Sequence, residues 1–154
     1  MENDFKFPKL THDFKRHPEL TNAQLQQFGY TSPHRQITEN FIARVVDVHD
    51  GDTIKVLWSE RDFPFKIRFA DTAAPELNEP GGKEAQQWLQ TRLLGKMVEV
   101  GINPNKRVGK FGRLLGTITQ GGQDVGQEET LLGLTAKYGQ ISSGAIKHEL
   151  TKKR

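Results

Sequence analysis

The sequence predicts an α+β domain, mostly β, flanked by a polar N-terminal extension and a basic tail. Three observations carry this. Residues 41–70 alternate apolar and polar positions in short runs separated by turn chemistry, the pattern of half-buried strands. Residues 81–96 instead repeat apolar positions at helical spacing. The first forty residues carry Phe5, Phe7, Phe14, Phe28 and Tyr30 without a period, and Pro8, Pro18 and Pro33 interrupt them.

Taken in order, "FIARVVDV" and "DTIKVLW" read as strands joined through "HDGD", and "FPFKIRFA" as a third strand after the turn "SERD". In that third strand Phe65, Ile67 and Phe69 share one face, with Lys66 and Arg68 on the other. "GGKEAQQWLQTRLLGK" reads as a helix with a stripe of Ala85, Trp88, Leu89 and Leu93, stopped at Gly95. "KMVEVGI" is a fourth strand, and "FGRLLGTITQ" a fifth that turns at Gly121–Gly122. "EETLLGLTAKYG" reads as a second helix, and "LTNAQLQQFGY" in the leader as a short one capped by Thr21 and ended by Gly29. Three strands, a helix, two strands and a helix suit a small closed five-stranded barrel of OB type with two or three helices. The expected division is a leader over 1–40, the barrel domain over 41–139 and a tail over 140–154.

Charge and composition narrow the function classes. The net charge of +3 sits in the tail: residues 1–40 and 41–139 are each neutral, and residues 140–154 carry four basic residues and one acid. A basic tail can meet phosphates but is also simply a solvated end. Cysteine is absent, which excludes disulfides, thiolate zinc sites and cysteine nucleophiles. The N-terminus has no apolar stretch of the secretory type, and no run approaches the ~20 residues that span a bilayer. The expectation is a soluble protein without membrane contact, cytoplasmic or held within a virion or another large assembly. For the leader two readings stand open: a segment that docks a protein partner through its spaced rings, and a leader folded against its own domain.

No single motif identifies a chemistry. "DVHDGDT" concentrates three carboxylates at a strand junction, but its acids do not fall at the EF-hand positions. "GKFG" at Gly109 lacks the earlier glycine of a P-loop, where Pro104 stands, and no Ser or Thr follows the lysine. Asp-Gly between strands is ordinarily a tight turn. His49 has no second histidine at metal-ligand spacing, and no Ser-His-Asp arrangement is identifiable.

The motifs speak together. "DGDT" (Asp50–Thr53), "RFADTAAPE" (Arg68–Glu76) and "KFGR" (Lys110–Arg113) follow one another on the three-strand, helix, two-strand frame. This resembles the staphylococcal nuclease (thermonuclease) family over residues 41–139. The resemblance implies an OB barrel and calcium-dependent hydrolysis of DNA, with RNA as a second substrate class. It implies Asp52 as the calcium-binding aspartate, Thr53 shaping the metal site and Asp50 as a supporting acid. It implies Arg68 and Arg113 as the phosphate-binding arginines and Glu76 as the residue that positions or deprotonates water. Lys110 would meet nucleic acid, and Tyr138, by rough position alone, is a candidate for stacking on a base or equally for a place in the core.

These residue types suit the reaction. A phosphodiester is anionic and repels an incoming water until its charge is neutralised. A hard cation on carboxylates does that, and two guanidiniums add paired hydrogen bonds to the transition-state oxygens.

One position departs. The family spaces its arginine, its second metal aspartate and its glutamate at intervals of five and three residues. Without gaps Arg68 and Glu76 match, and the aspartate position is Ala73. The other alignment makes Asp71 the ligand and Lys66 the clamp, with two extra residues before Glu76. In "DVGQEETLLGL" the family has Asn where Gly126 stands and an apolar residue where Glu129 stands. These departures keep an alternative open: a weakly active or inactive OB module serving as a structural or binding component of a larger assembly such as a phage tail or virion complex.

Overall fold

The computed structural model describes residues 18–19, 35–109 and 112–137. The expected leader helix, Lys110, Tyr138 and the tail lie outside the described residues.

The described chain runs β1 (Phe41–Asp50), β2 (Thr53–Leu57), β3 (Phe65–Phe69), β4 (Thr72–Ala73), α1 (Gly82–Leu93), β5 (Met97–Gly101), β6 (Leu114–Gln120), β7 (Gln123–Asp124), α2 (Val125–Leu131) and β8 (Ala136–Lys137). The sheet order is β3-β2-β1-β5-β6-β7, and a parallel pairing of β3 with β6 closes it into a five-stranded barrel. The expected OB-type, mostly β architecture is therefore present, with β4 and β8 forming a small separate sheet.

β1 serves two neighbours. Its first residues pair with β5 and its remainder with β2, with register shifts between Val45 and Asp47 and between Val48 and Asp50. Bulges of this kind bend a strand and strengthen its twist, so β1 can pass from one side of the barrel to the other. Inward residues then fill the barrel: Val45, Ile54, Val56, Ile67, Val98, Val100, Leu114 and Ile118 are all at most 2% exposed. Ala85, Leu89 and Leu93 of α1 are buried as the stripe predicts, while Trp88 is half-buried at its margin. The Gln86 amide donates to the carbonyls of Val48 and His49, fastening α1 to the end of β1.

The second helix starts earlier than expected and is shorter. Asp124 caps it, its Oδ1 accepting from the Gln127 amide at 3.0 Å. Gly133, at φ 77°, follows it, and Ala136–Lys137 form β8 against β4. An N-cap aspartate and a stop glycine outweigh the helical spacing of the residues beyond.

The chain preceding β1 is bound to the barrel at two places. Glu19 is fully buried; its Oε1 accepts from Arg107 Nη1 at 2.9 Å and the Ile37 amide at 2.7 Å, and its Oε2 accepts from Arg61 Nη2 at 2.7 Å. The Arg61 guanidinium lies 4.6 Å over the ring of Phe65 and also faces Phe63 and Trp58. Ile37, 2% exposed, joins the hydrophobic core. Among the described residues no helix is long and apolar enough to cross a membrane.

Candidate active site

The β1–β2 turn builds the centre of the site. Asp50 pairs with Thr53 across the hairpin, and the Asp52 amide donates to Asp50 Oδ1 at 3.1 Å. Gly51, between the two acids, has no left-handed backbone angle. Its reason for being glycine is space. A Cβ there would stand 2.6 Å from the Ala85 methyl and 2.7 Å from the Ala74 methyl. The turn is thus wedged between α1 and the segment after β4.

Asp52 is 7% exposed and holds that segment in place. Its Oδ2 accepts from the Ala74 amide at 3.0 Å and from Arg68 Nη2 at 3.3 Å, while its Oδ1 accepts from the Thr53 hydroxyl at 3.0 Å. Arg68 reaches it because β2 and β3 place Thr53 opposite Arg68. Lys66, two residues earlier on β3, is exposed. Arg68 also donates to the Phe69 carbonyl at 3.1 Å, which fixes its guanidinium at the strand end.

A cleft of about 710 Å³ opens beside this centre, and its lining includes Arg68, Asp71, Asn103, Lys106 and Arg113. Arg113 is set there by a closed turn: the Gly109 amide donates to the Arg113 carbonyl at 2.8 Å, and Gly112 takes φ 73°. Glu76 is exposed, and its backbone is held by Glu79, whose Oε1 accepts from the Glu76 amide at 2.8 Å. Gly82 at the start of α1 packs on it, since a Cβ there would lie 1.9 Å from the Glu76 carbonyl oxygen.

The acids act on one another. Burial, followed by the hydrogen bond and charge of Asp52 and the charge of Glu76, pushes the Asp50 carboxyl up to about 7. The same field reaches a residue not counted among the site residues from sequence. Glu129 of α2 is fully buried, and neither of its carboxylate oxygens has a hydrogen-bond partner. Burial, then the charges of Asp52 and Asp50, hold it well above the usual carboxylate range.

Sequence comparisons agree with this fold. A protein named micrococcal nuclease from Shigella flexneri is 33% identical over 97 residues, 63% of this chain and 53% of that protein. A protein named uncharacterized endonuclease from Escherichia coli O157:H7 is 31% identical over 104 residues, 67% of this chain and 65% of that protein. This is a staphylococcal-nuclease-like domain. No protein-family model matches the chain. The chain spans just over half of the first relative and just under two thirds of the second.

For a staphylococcal-nuclease-like domain the donor set fits a hard, oxygen-seeking cation in kind, since Asp50, Asp52 and Thr53 offer only oxygens. In number it is short. Ala73 lies buried in β4, paired with Ala136 of β8, and brings no carboxylate. Asp71 is exposed and lines the cleft with the arginines. Among the described residues no three acidic or histidine side chains are already gathered as a metal cage. The signal that could have brought Glu129 into the site was an acid four residues after Val125, on the buried face of a helix.

Proposed function

We propose that this domain hydrolyses phosphodiester bonds in DNA, and in RNA as a second substrate class, with the help of calcium or another hard divalent cation. One observation carries the reading: Arg68 of β3 and Arg113, in the turn just before β6, line one cleft, and Arg68 is held there by buried Asp52. A barrel that served only as a scaffold has no need to hold two guanidiniums at an open cleft. Relatives named as a nuclease and an endonuclease support the same reaction class.

In this reading Arg68 and Arg113 donate paired N–H bonds to the non-bridging oxygens of the bound phosphate. They hold phosphorus in place and stabilise the charge that gathers on its oxygens. Glu76, exposed beside the start of α1, accepts a proton from water as the water oxygen bonds to phosphorus. The bond from phosphorus to the departing sugar oxygen breaks, and that oxygen takes a proton from solvent. Asp52 and Thr53 would hold the cation, which when bound neutralises phosphate charge. Asp50 supports Asp52 through the hydrogen bond between them.

The second reading is an OB module that binds without cutting, as part of a larger assembly, with the leader as the segment that meets a protein partner. Ala73, at the position of a metal aspartate, favours it. Purified protein incubated with single- and double-stranded DNA in millimolar calcium, and again in EDTA, separates the two. Cleavage that EDTA stops, and that Arg113→Ala slows by about 10²–10³, supports the nuclease. Folded protein that binds DNA without cutting it, in calcium, magnesium or manganese, leaves the second reading.

A further inference from the structure

We propose that Lys106 binds the backbone phosphate next to the one being cut, and that the chain before β1 sets it in place. The inference rests on the nuclease reading and adds a second phosphate subsite to the same cleft. Three structural features carry it.

The first is the wall of the cleft. Among the described residues it carries three cations, Arg68, Lys106 and Arg113, against one acid, Asp71. Asn103 lines it too, and its Oδ1 is already spent, accepting from the Asn105 amide at 3.0 Å. What that side chain keeps is its NH₂ group, a donor. A wall of cations and donors suits an anion. The cleft is also more than one phosphate needs. Its volume of about 710 Å³ lies in the range, about 300–1,000 Å³, that takes a whole drug-sized ligand. A nucleotide with a phosphate at each end suits both the space and the charge.

The second feature is how the loop between β5 and β6 is held. The Lys106 amide donates to the Asn103 carbonyl at 2.9 Å, which closes a tight turn. Arg107, the next residue, is buried. Its Nη1 donates to Glu19 Oε1 at 2.9 Å and to the Ile37 carbonyl at 2.6 Å, and its own carbonyl accepts from the Leu115 amide at 2.8 Å. A lysine is ordinarily a mobile charge on a long stem. Here the backbone is fixed on both sides of it, so the charge is kept at the cleft wall.

The third feature is the origin of those clasps. Glu19 and Ile37 hold Arg107, and Asn40 Oδ1 accepts from the Ile102 amide at 2.7 Å. Residues ahead of β1 thus grip the β5–β6 loop at two points. A barrel without them keeps Arg68 and Arg113 but loses both clasps on the loop that carries Lys106.

Binding of a fluorescently labelled thymidine decamer to the full chain, read by anisotropy in EDTA over a range of salt, tests this without cleavage. A thymidine dinucleotide, joined by a single phosphate, serves as an unlabelled competitor. The variants are Lys106→Ala, Lys106→Arg, Asn40→Ala and Asn40→Ala/Lys106→Ala. Lys96→Ala removes an exposed cation outside the cleft, and Arg113→Ala removes one of the two arginines. Lys106→Ala should weaken decamer binding at least about threefold. It should also make the slope of log affinity against log salt shallower by about 0.7, the value for one phosphate of a single strand. The dinucleotide should lose less than the decamer, and Lys106→Arg should restore the slope. Asn40→Ala should weaken decamer binding by itself and add less once Lys106 is gone. A wild-type slope in Lys106→Ala, or a loss no greater than that of Lys96→Ala, overturns the inference. The effect of Arg113→Ala in the same assay then decides separately whether the nuclease reading stands. Additive losses from Asn40 and Lys106 overturn the part assigned to the chain before β1. If the wild type binds neither DNA, both readings fall.

Discussion

Replacing Glu19 by Gln removes one charge, keeps the shape, and tests whether the segment before β1 is part of the folding unit. The carboxylate is fully buried and accepts three bonds: from Arg61 and Arg107, both themselves buried, and from the Ile37 amide. Glutamine can offer one oxygen to these donors, and its own NH₂ then faces a guanidinium. Two buried cations lose their counter-charge. Breaking a buried pair by removing one partner costs about 3–5 kcal/mol. Against a typical stability of about 5–15 kcal/mol this is roughly a fifth or more of the total. With a urea dependence of about 2 kcal/mol per molar, the unfolding midpoint falls by roughly 2 M. Trp58 reports the change, because its ring packs 5.1 Å from Phe41 and lies beside Arg61. The control is Arg35→Ala, whose partners Glu39 and Glu60 are exposed, and it costs under about 1 kcal/mol. If Glu19→Gln loses no more than that control, the buried network does not bear the stability assigned to it. Truncation is a corollary: a chain begun at residue 41 discards Glu19 and Ile37 and should fold poorly, whereas one begun at residue 18 keeps both.

Three further outcomes follow from the site. Gly51→Val drives a branched side chain into the methyls of Ala74 and Ala85, so the midpoint should drop by the equivalent of at least about 1–3 kcal/mol, with cleavage lost beyond that drop. Gly82→Ala leaves its Cβ no room beside the Glu76 carbonyl; cleavage should fall more than DNA affinity does, and an unchanged turnover would refute the placement of Glu76. Asp50 responds to pH with a definite sign. Folded, it keeps its proton up to about 7, whereas an unfolded aspartate releases it near 3.9. Across that window the native state binds more protons, so stability in EDTA falls as pH rises from about 4 to 7, and Glu129 acts in the same direction. Urea titrations at pH 5 and pH 8 should show this slope in the wild type and a shallower one in Asp50→Asn.

Much of this molecule is legible in its sequence because the signals are local. Alternation in "FKIRF" determines which residues of β3 face the core, and Arg68 follows on the opposite face. The stripe of Ala85, Leu89 and Leu93 sets the buried side of α1, and the order of three short motifs along the strands points to the fold and to the arginines. What the tertiary structure decided depends on contacts between distant residues. Gly51 looks like a turn glycine, but its constraint comes from two methyl groups on other elements. Glu19 meets Arg107 across 88 positions of the chain, a pairing that no periodicity announces. Glu129 reads as a polar interruption of a short helix until α2 is laid over Phe69 and Thr72. A sequence states the chemistry of each side chain and the period of its neighbours. Whether an acid is buried, and which charges lie beside it, is settled only when the barrel closes and brings β3 beside β6.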